Sequence, residues 1–205
     1  MTMKRSSGTR VIRTLLLVVG VGLLSWAGFR AVRMHFAQEE LRDQLSRVNR
    51  PGGLGDLGSL PDTLDPRVPL EFGDLVARIE IPRVDLDVMA LEGVRDYLLD
   101  KGAGHFHETA FPGLGNNTAF AGHRDTFFRK LQFVDEGDSV LVTTSWGRYT
   151  YLVNEIFVVD PEDVWVLDQR GEEMLTLITC YPFMWLGPAP RRIVVTALPA
   201  GSAAS

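Results

Sequence analysis

An uncharged apolar stretch at residues 14–29 constrains this chain of 205 residues more than any other feature. Basic residues flank it on both sides: Lys4, Arg5, Arg10, Arg13 and Arg30. A helix of this length spans roughly 24 Å, and the stems of the flanking arginines extend it toward the roughly 30 Å of a hydrocarbon core. The sequence therefore predicts a single-pass transmembrane helix over residues 14–32, with a cytoplasmic basic tail at residues 1–13.

A cleaved signal peptide is the alternative, because Ser25-Trp26-Ala27 forms a small-x-small site before Gly28. Both interpretations place the remainder of the chain outside the cytoplasm. Residues 33–49 alternate charged and apolar side chains at helical spacing, which predicts a polar helical extension. Residues 50–70 are rich in glycine and proline, which predicts a flexible linker.

Short runs rich in β-branched and apolar residues fill residues 71–198. They predict strands at residues 75–81, 84–91, 117–121, 139–144, 149–159, 174–179 and 192–197. Short helices are expected near residues 96–101 and 125–131, and residues 199–205 are expected to be a disordered tail. Many short strands with few helical periods predict a mainly β fold, which is either a sandwich or a closed barrel.

The single cysteine, Cys180, excludes an intramolecular disulfide and any cysteine-based zinc site. A net charge of −5 spread over mixed signs gives no basic face for nucleic acid. Cys180 follows the strand-like run at residues 175–179 and precedes Tyr181-Pro182, so its thiol lies where a strand gives way to a loop. Two interpretations remain open: a catalytic nucleophile, or a small buried hydrophobic residue.

A nucleophilic thiol needs a proton acceptor, because a cysteine with a pKa of about 8.5 is only a few per cent thiolate at neutral pH. His123 follows the apolar run at residues 118–121 and, like Cys180, stands where a strand is expected to end. A structural histidine bonded to the backbone is the alternative. His105 and His107 stand two residues apart, but no further ligand motif completes a metal site, so none is predicted there.

Arg191 and Arg192 precede the last strand-like run, at residues 193–197. A guanidinium at the mouth of a strand can stabilise the oxyanion that forms when a thiol attacks a carbonyl, since its donors are fixed and always charged. A solvated surface charge is the alternative. Side chains alternate along a strand, so only one of the two arginines can face a site beside Cys180.

Three motifs in this order resemble those of the sortase family. Residues 176–180 (TLITC) match the TLxTC signature of the nucleophile, and residues 121–129 (AGHRDTFFR) match the stretch around the family's histidine. Residues 187–195 (GPAPRRIVV) resemble the segment that carries its arginine. The resemblance extends over roughly residues 71–198 and is strongest for class D sortases.

This resemblance implies a closed eight-stranded barrel and a cysteine transpeptidase. It implies that Cys180 is the nucleophile, His123 the acid/base and Arg192 the oxyanion or substrate-binding group. Further substrate contacts are expected at Thr179, at Arg191 and at Trp165, whose loop at residues 160–171 is expected to form a wall of the groove. Trp165 could instead be an ordinary core residue.

The implied substrates are secreted proteins with an LPxTG-like sorting signal, cleaved through a thioacyl intermediate. The acyl group passes to an amine acceptor of envelope or protein origin. No cofactor is expected. Some sortases respond to calcium, but no calcium site is assigned in this sequence. Two other functions remain open: a cysteine hydrolase that uses the same residues and releases the acyl group to water, and an anchored β-barrel binding module with a structural thiol.

Overall fold

The computed structural model describes residues 7–48 and 70–201 of the chain. The predicted linker at residues 50–70 therefore lies outside the described residues, except for Leu70. The ends of the predicted tails, residues 1–6 and 202–205, also lie outside them. The chain divides into two compact units, Met1–Ala37 and Gln38–Ser205.

A long helix, α1, runs over Ser7–Val48. It includes the predicted transmembrane helix at residues 14–32 and continues past it, because residues 33–48 contain neither glycine nor proline. Within the described residues, the Ile12–Ser46 part of α1 is the one segment that is long and apolar enough to cross a membrane. Its large apolar side chains, among them Leu16 and Leu24, are exposed.

The last turns of α1 belong to the same unit as the strands. The Gln38 side chain accepts a hydrogen bond from the Met89 N–H at 2.8 Å and donates one to the Lys101 carbonyl. Leu45 is buried, at 6% exposure. The predicted polar extension, residues 33–49, is therefore not one uniform segment. Its part from Gln38 onward belongs to the unit that contains the barrel, where Gln38 is hydrogen-bonded and Leu45 is buried.

Eight strands within the described residues close into one barrel, which confirms the predicted fold and excludes the sandwich. They are β1 (Leu75–Ile81), β2 (Leu86–Glu92), β3 (Ala103–His105), β4 (Asn117–Gly122), β5 (Ser139–Thr143), β6 (Arg148–Val159), β7 (Met174–Tyr181) and β8 (Arg191–Pro199). Their order around the barrel is β1-β2-β3-β4-β7-β8-β6-β5, and β5 pairs with β1. The β2–β3 and β4–β7 pairs are parallel, and the other pairs are antiparallel.

Alternation along the strands gives the barrel two apolar surfaces. Phe120 of β4, Leu177 of β7 and Val195 of β8 belong to the interior core, and each is at most 1% exposed. Ile178 and Val194, their neighbours in sequence, belong to a second cluster on the opposite face of β7 and β8. The second cluster leaves an apolar outer face beside the end of β7, where Cys180 lies.

Strand β3 was not among the predicted strands. It has only three residues, and it contains one tightly packed glycine and follows another. A Cβ at Gly102, before the strand, would lie 2.3 Å from the Met89 carbonyl oxygen, and one at Gly104, within the strand, would lie 2.4 Å from that of Gly93. Glycine is required for this close approach, yet it weakens the local strand signal.

The remaining differences concern the ends of elements. The helix expected at residues 96–101 is the short α2 (Asp96–Leu99), and the one expected at residues 125–131 is a 3-10 helix at Arg129–Phe133 that follows a turn. Strand β8 reaches Pro199, and the Ala200 N–H donates to the Thr150 carbonyl at 2.9 Å. The ordered chain thus extends into residues 199–205, which were expected to be disordered.

Candidate active site

Cys180 and His123 stand at the ends of two neighbouring parallel strands. In the β4–β7 ladder, Gly122 lies opposite Thr179. His123 and Cys180 are the next residue on each chain, and adjacent strands lie about 4.8 Å apart. The topology therefore brings together two groups that are far apart in sequence. Cys180 is a free cysteine and is partly exposed.

Thr179 fixes this pair of strand ends. Its hydroxyl donates to the Gly122 carbonyl at 2.6 Å, and the residue is only 2% exposed. A short, buried hydrogen bond between side chain and backbone holds the two strands in register immediately before the reactive residues. Thr179 was expected to contact substrate, whereas the structure directs its side chain at the neighbouring strand.

The antiparallel β7–β8 ladder determines which arginine accompanies Cys180. Cys180 lies opposite Arg192, and Tyr181 lies opposite Arg191. Directly opposed residues project to the same face with Cβ atoms about 5 Å apart. The Arg191 side chain is 61% exposed, with its Nε 3.8 Å from a carboxylate oxygen of Asp160.

The side chain of Arg192 is partly buried and held by the chain around it. Its Nη1 donates to the Arg191 carbonyl at 3.0 Å and to the Ala189 carbonyl at 3.4 Å. These two acceptors occupy only part of the five-donor capacity of a guanidinium. The guanidinium therefore has donors left for a further acceptor.

The outer face of β7 and β8 forms an apolar floor beside these groups. Alternation puts Cys180 on the same face as Ile178, and Arg192 on the same face as Val194. Ile178 is 8% exposed and Val194 is fully buried. Hydrogen bonds and charges in such surroundings are less screened than in water, which suits the stabilisation of a developing oxyanion.

The loop between β6 and β7 covers part of this floor. It contains a 3-10 helix, Val164–Leu167, in which Val166 packs on the outer-face cluster. The Asn117 side chain, fully buried at the start of β4, donates to the Val166 carbonyl at 2.9 Å. The loop is thus attached to β4, the strand that His123 directly follows.

Trp165 lies on this loop and is 43% exposed. Its ring stacks on Phe157 of β6, with centroids 5.7 Å apart and planes within 6°. The Arg170 guanidinium lies 5.7 Å from the Trp165 centroid. The Trp165 ring therefore lies partly exposed above the outer face of the barrel and is not part of the interior core.

The His123 ring also faces a carboxylate. Its Nε2 lies 4.0 Å from Oδ1 of Asp100, the residue that caps the C-terminus of α2. This separation is longer than a hydrogen bond. Both side chains are partly exposed, at 31% for His123 and 52% for Asp100. Asp100 therefore contributes charge near the ring without fixing its orientation.

His105 and His107 meet a carboxylate that the sequence did not indicate. Their Nδ1 atoms each lie 2.8 Å from a different oxygen of Glu92, and both Glu92 and His105 are fully buried. The Nε2 of His105 lies 3.0 Å from the Ala110 carbonyl oxygen and 3.2 Å from the Thr109 hydroxyl oxygen. Both ring nitrogens of His105 therefore have polar partners, and His105 and Glu92 form a buried polar pair within the barrel wall.

Glu92 was missed because it directly follows the strand predicted at residues 84–91, where a charged residue is unremarkable. Its partners lie 13 and 15 residues further along the chain. Among the described residues, no group of three or more His, Cys, Asp and Glu side chains is arranged to hold a metal ion. The expectation that catalysis needs no cofactor remains a prediction.

The sortase domain family model matches residues 79–200 of the chain, which includes Cys180, His123 and Arg192. The chain belongs to the sortase family. Sortase D of Bacillus subtilis (strain 168) is 27% identical over 190 residues, which cover 91% of this chain and 96% of the relative. The predicted resemblance to class D sortases is confirmed.

Solved sortase structures share this fold. A sortase D5 transpeptidase from Clostridium perfringens superimposes with a TM-score of 0.66 at 29% identity, over 82% of this chain and 98% of that one. Sortase E from Streptomyces avermitilis gives a TM-score of 0.56 at 31% identity, over 64% and 91%. Sortases are cysteine transpeptidases, so this sortase is an enzyme that cleaves a peptide bond and transfers the acyl group.

Proposed function

We propose that this sortase cleaves an LPxTG-like sorting signal through a thioacyl intermediate on Cys180 and transfers the acyl group to an amine at the cell envelope. The observation that supports this most strongly is the register of β4, β7 and β8. It places Cys180 directly opposite Arg192 and one residue beyond the Gly122–Thr179 pair, where His123 follows. Cys180 is also the chain's single cysteine.

In the first step, the Cys180 sulfur attacks the backbone carbonyl carbon of the threonine in the sorting signal. A C–S bond forms, and the peptide C–N bond breaks after the oxyanion collapses. His123, as the imidazolium, gives its proton to the departing amine. Arg192 donates to the carbonyl oxygen as negative charge develops on it.

In the second step, an incoming amine attacks the thioester carbon. His123 accepts the proton that this amine loses, a new C–N bond forms, and the C–S bond breaks to release Cys180. Two moderate barriers replace one difficult amide exchange. Water would give hydrolysis through the same residues, so the outcome depends on which nucleophile reaches the thioester.

The other predicted contacts take different parts in this proposal. Thr179 positions the strand ends through Gly122, and its hydroxyl is too buried to meet a substrate. Arg191 is exposed and near Asp160, so it lies at the rim. Trp165 offers a partly exposed ring on the loop above the apolar floor, where it would form one wall of the substrate groove.

We also propose that α1 anchors the enzyme with its N-terminus in the cytoplasm and its catalytic unit outside. The apolar Ile12–Ser46 part is long enough to span a bilayer, and the basic residues precede it. The partners are then secreted proteins that carry the sorting signal at their C-terminus, and an acceptor amine of envelope or protein origin.

The test uses the full chain in detergent micelles with quenched fluorescent peptides based on LPxTG-like sequences. Wild type and Cys180→Ala are compared with and without an amine acceptor, and products are identified by mass spectrometry. We expect cleavage by the wild type alone and a peptide–amine product when the amine is present. Free acid alone, whatever the amine concentration, would instead indicate a hydrolase. Equal cleavage by Cys180→Ala would exclude Cys180 as the nucleophile.

A further inference from the structure

Arg124, the residue after His123, makes three hydrogen bonds to a segment that is distant in sequence. Its Nη1 donates to the Pro182 carbonyl at 3.0 Å. Its Nη2 donates to the Trp185 carbonyl at 3.0 Å and to the Gly187 carbonyl at 3.1 Å. One guanidinium therefore satisfies three backbone acceptors of the segment between β7 and β8.

This segment, residues 182–190, is called the β7–β8 loop below. It begins two residues after Cys180 and ends two residues before Arg192. The carbonyls that Arg124 binds belong to its first residue, its tip and its return, where Gly187 has a φ of +92°. Both ends of the loop therefore lead directly into proposed catalytic groups.

The tip of the β7–β8 loop gains little from apolar packing. Leu186 is 99% exposed and Met184 is 85% exposed. Within the loop, the Trp185 indole N–H donates to the Pro188 carbonyl at 3.0 Å, and Phe183, at the start of the loop, packs against the interior core and the Tyr181 ring. Beyond Phe183, two of the bonds from Arg124 join the tip and the return of the loop to the residues that follow β4.

We propose that Arg124 is a positioning residue that holds the β7–β8 loop as a wall of the substrate groove. Its planar fork with fixed donors suits three acceptors better than the point charge of a lysine. Because its backbone follows His123, the side chain links the histidine to the loop that joins Cys180 to Arg192. The inference rests on the proposed peptide substrate, but the loop contact itself does not.

Loss of these bonds should affect peptide recognition more than the chemistry of the thiol. If the loop must become ordered when substrate binds, the cost of ordering reduces the net binding free energy, and KM rises. His123, Cys180 and the strand register remain in place, because the Thr179–Gly122 bond and the β7–β8 ladder do not involve the Arg124 side chain.

The experiment compares full-length wild type, Arg124→Ala, Arg124→Lys and Arg129→Ala in detergent. Arg129, an exposed arginine five residues further on, is the matched control. Three quantities are measured: kcat and KM for an LPxTG-like peptide, the pH profile of Cys180 alkylation by iodoacetamide, and hydrogen exchange at the amides of residues 183–187. Alkylation and exchange need no sorting peptide.

For Arg124→Ala we expect KM to rise about tenfold with kcat within about threefold of wild type. The alkylation profile should not move, and exchange should accelerate at residues 183–187 but not in β4 or β7. Arg124→Lys should lie between the two, and Arg129→Ala should match wild type. Unchanged loop exchange, or an equal loss of protection throughout the barrel, would overturn the proposal. If wild type cleaved no peptide while loop exchange accelerated as expected, the proposed substrate would fail and the positioning contact would stand.

Discussion

Cys180 and Arg192 lie directly opposite each other in the antiparallel β7–β8 ladder. His123 reaches the same place from a third strand, because β4 pairs in parallel with β7. The site is therefore assembled by backbone register across three strands. A shift of one residue in either ladder would direct one of these side chains to the opposite face.

Substitution of the two neighbouring arginines tests this register. Arg192→Ala should lower kcat/KM about 10²- to 10³-fold, the range seen when an oxyanion donor is lost. Arg191→Ala should change it less than about threefold, because a surface ion pair with Asp160 contributes little. Steady-state peptide kinetics measure both. A larger loss for Arg191→Ala would contradict the assignment of Arg192.

Thr179→Val tests whether this side chain positions the catalytic residues in addition to stabilising the fold. It removes the donor to the buried Gly122 carbonyl, so the free energy of unfolding should fall by about 1–3 kcal/mol and kcat should also fall. Thr176→Val is the matched control, because that hydroxyl is also buried on β7 and donates to Asn117 at 2.8 Å, four residues before Cys180.

Denaturant unfolding and peptide kinetics measure both threonine variants. We expect Thr176→Val to lose comparable stability but to keep its kcat at a temperature where it is folded. Equal kcat values for the two variants would show that Thr179 has no special part in the site.

Truncation tests whether the end of α1 is part of the catalytic unit. A chain that begins at residue 38 keeps the bonds from Gln38 to the Met89 N–H and the Lys101 carbonyl, whereas one that begins at residue 70 loses them and Leu45 as well. The shorter chain should melt about 5 °C lower. Gln38→Ala in the full chain should reproduce part of this loss. Identical melting temperatures would place the start of the folded unit at residue 70.

Asp138 should contribute a stability that depends on pH. Hydrogen bonds from Arg83 lower the pKa of this carboxyl below its ordinary value, because they favour its charged form. The unfolded chain therefore takes up the proton first as the pH falls, and the contribution is complete above about pH 5 and is lost as the pH falls below about 4.

Asp138→Asn removes this contribution. Its deficit in unfolding free energy should be constant from about pH 5 to 8 and should shrink below about pH 4. Urea unfolding across this range measures the deficit. A deficit that grows on acidification would have the wrong sign and would contradict the ion pair.

The sequence indicated those parts of the fold whose signal is local. β-Branched runs located β1, β5 and β7 within a few residues, and the ordered motifs around His123, Cys180 and Arg192 pointed to the family. Strand β3 was not predicted, because its glycines allow a close backbone approach to β2 but have a low propensity for strands. The parallel pairing of β4 with β7, which creates the site, is a long-range property that periodicity does not reveal.

The sequence also did not predict the polar contacts between residues that are far apart along the chain. Arg124 looked like an ordinary charged residue in a motif, because its three acceptors are backbone carbonyls about 60 residues away, which no residue type identifies. Glu92 likewise gave no signal as the partner of His105 and His107. Strand alternation did predict that Arg191 and Arg192 face opposite sides, but only the ladder shows which one accompanies Cys180.

Mass spectrometry of peptides from the quenched enzyme tests the thioacyl intermediate on Cys180 most directly. The full chain is mixed with an LPxTG-like peptide, quenched in acid within seconds and digested. We predict that the peptide containing Cys180 gains the mass of the N-terminal acyl fragment, and that added amine removes this adduct as the joined product forms. Cleavage of the sorting peptide with no adduct on Cys180 at any time, and equal cleavage by Cys180→Ala, would contradict the account.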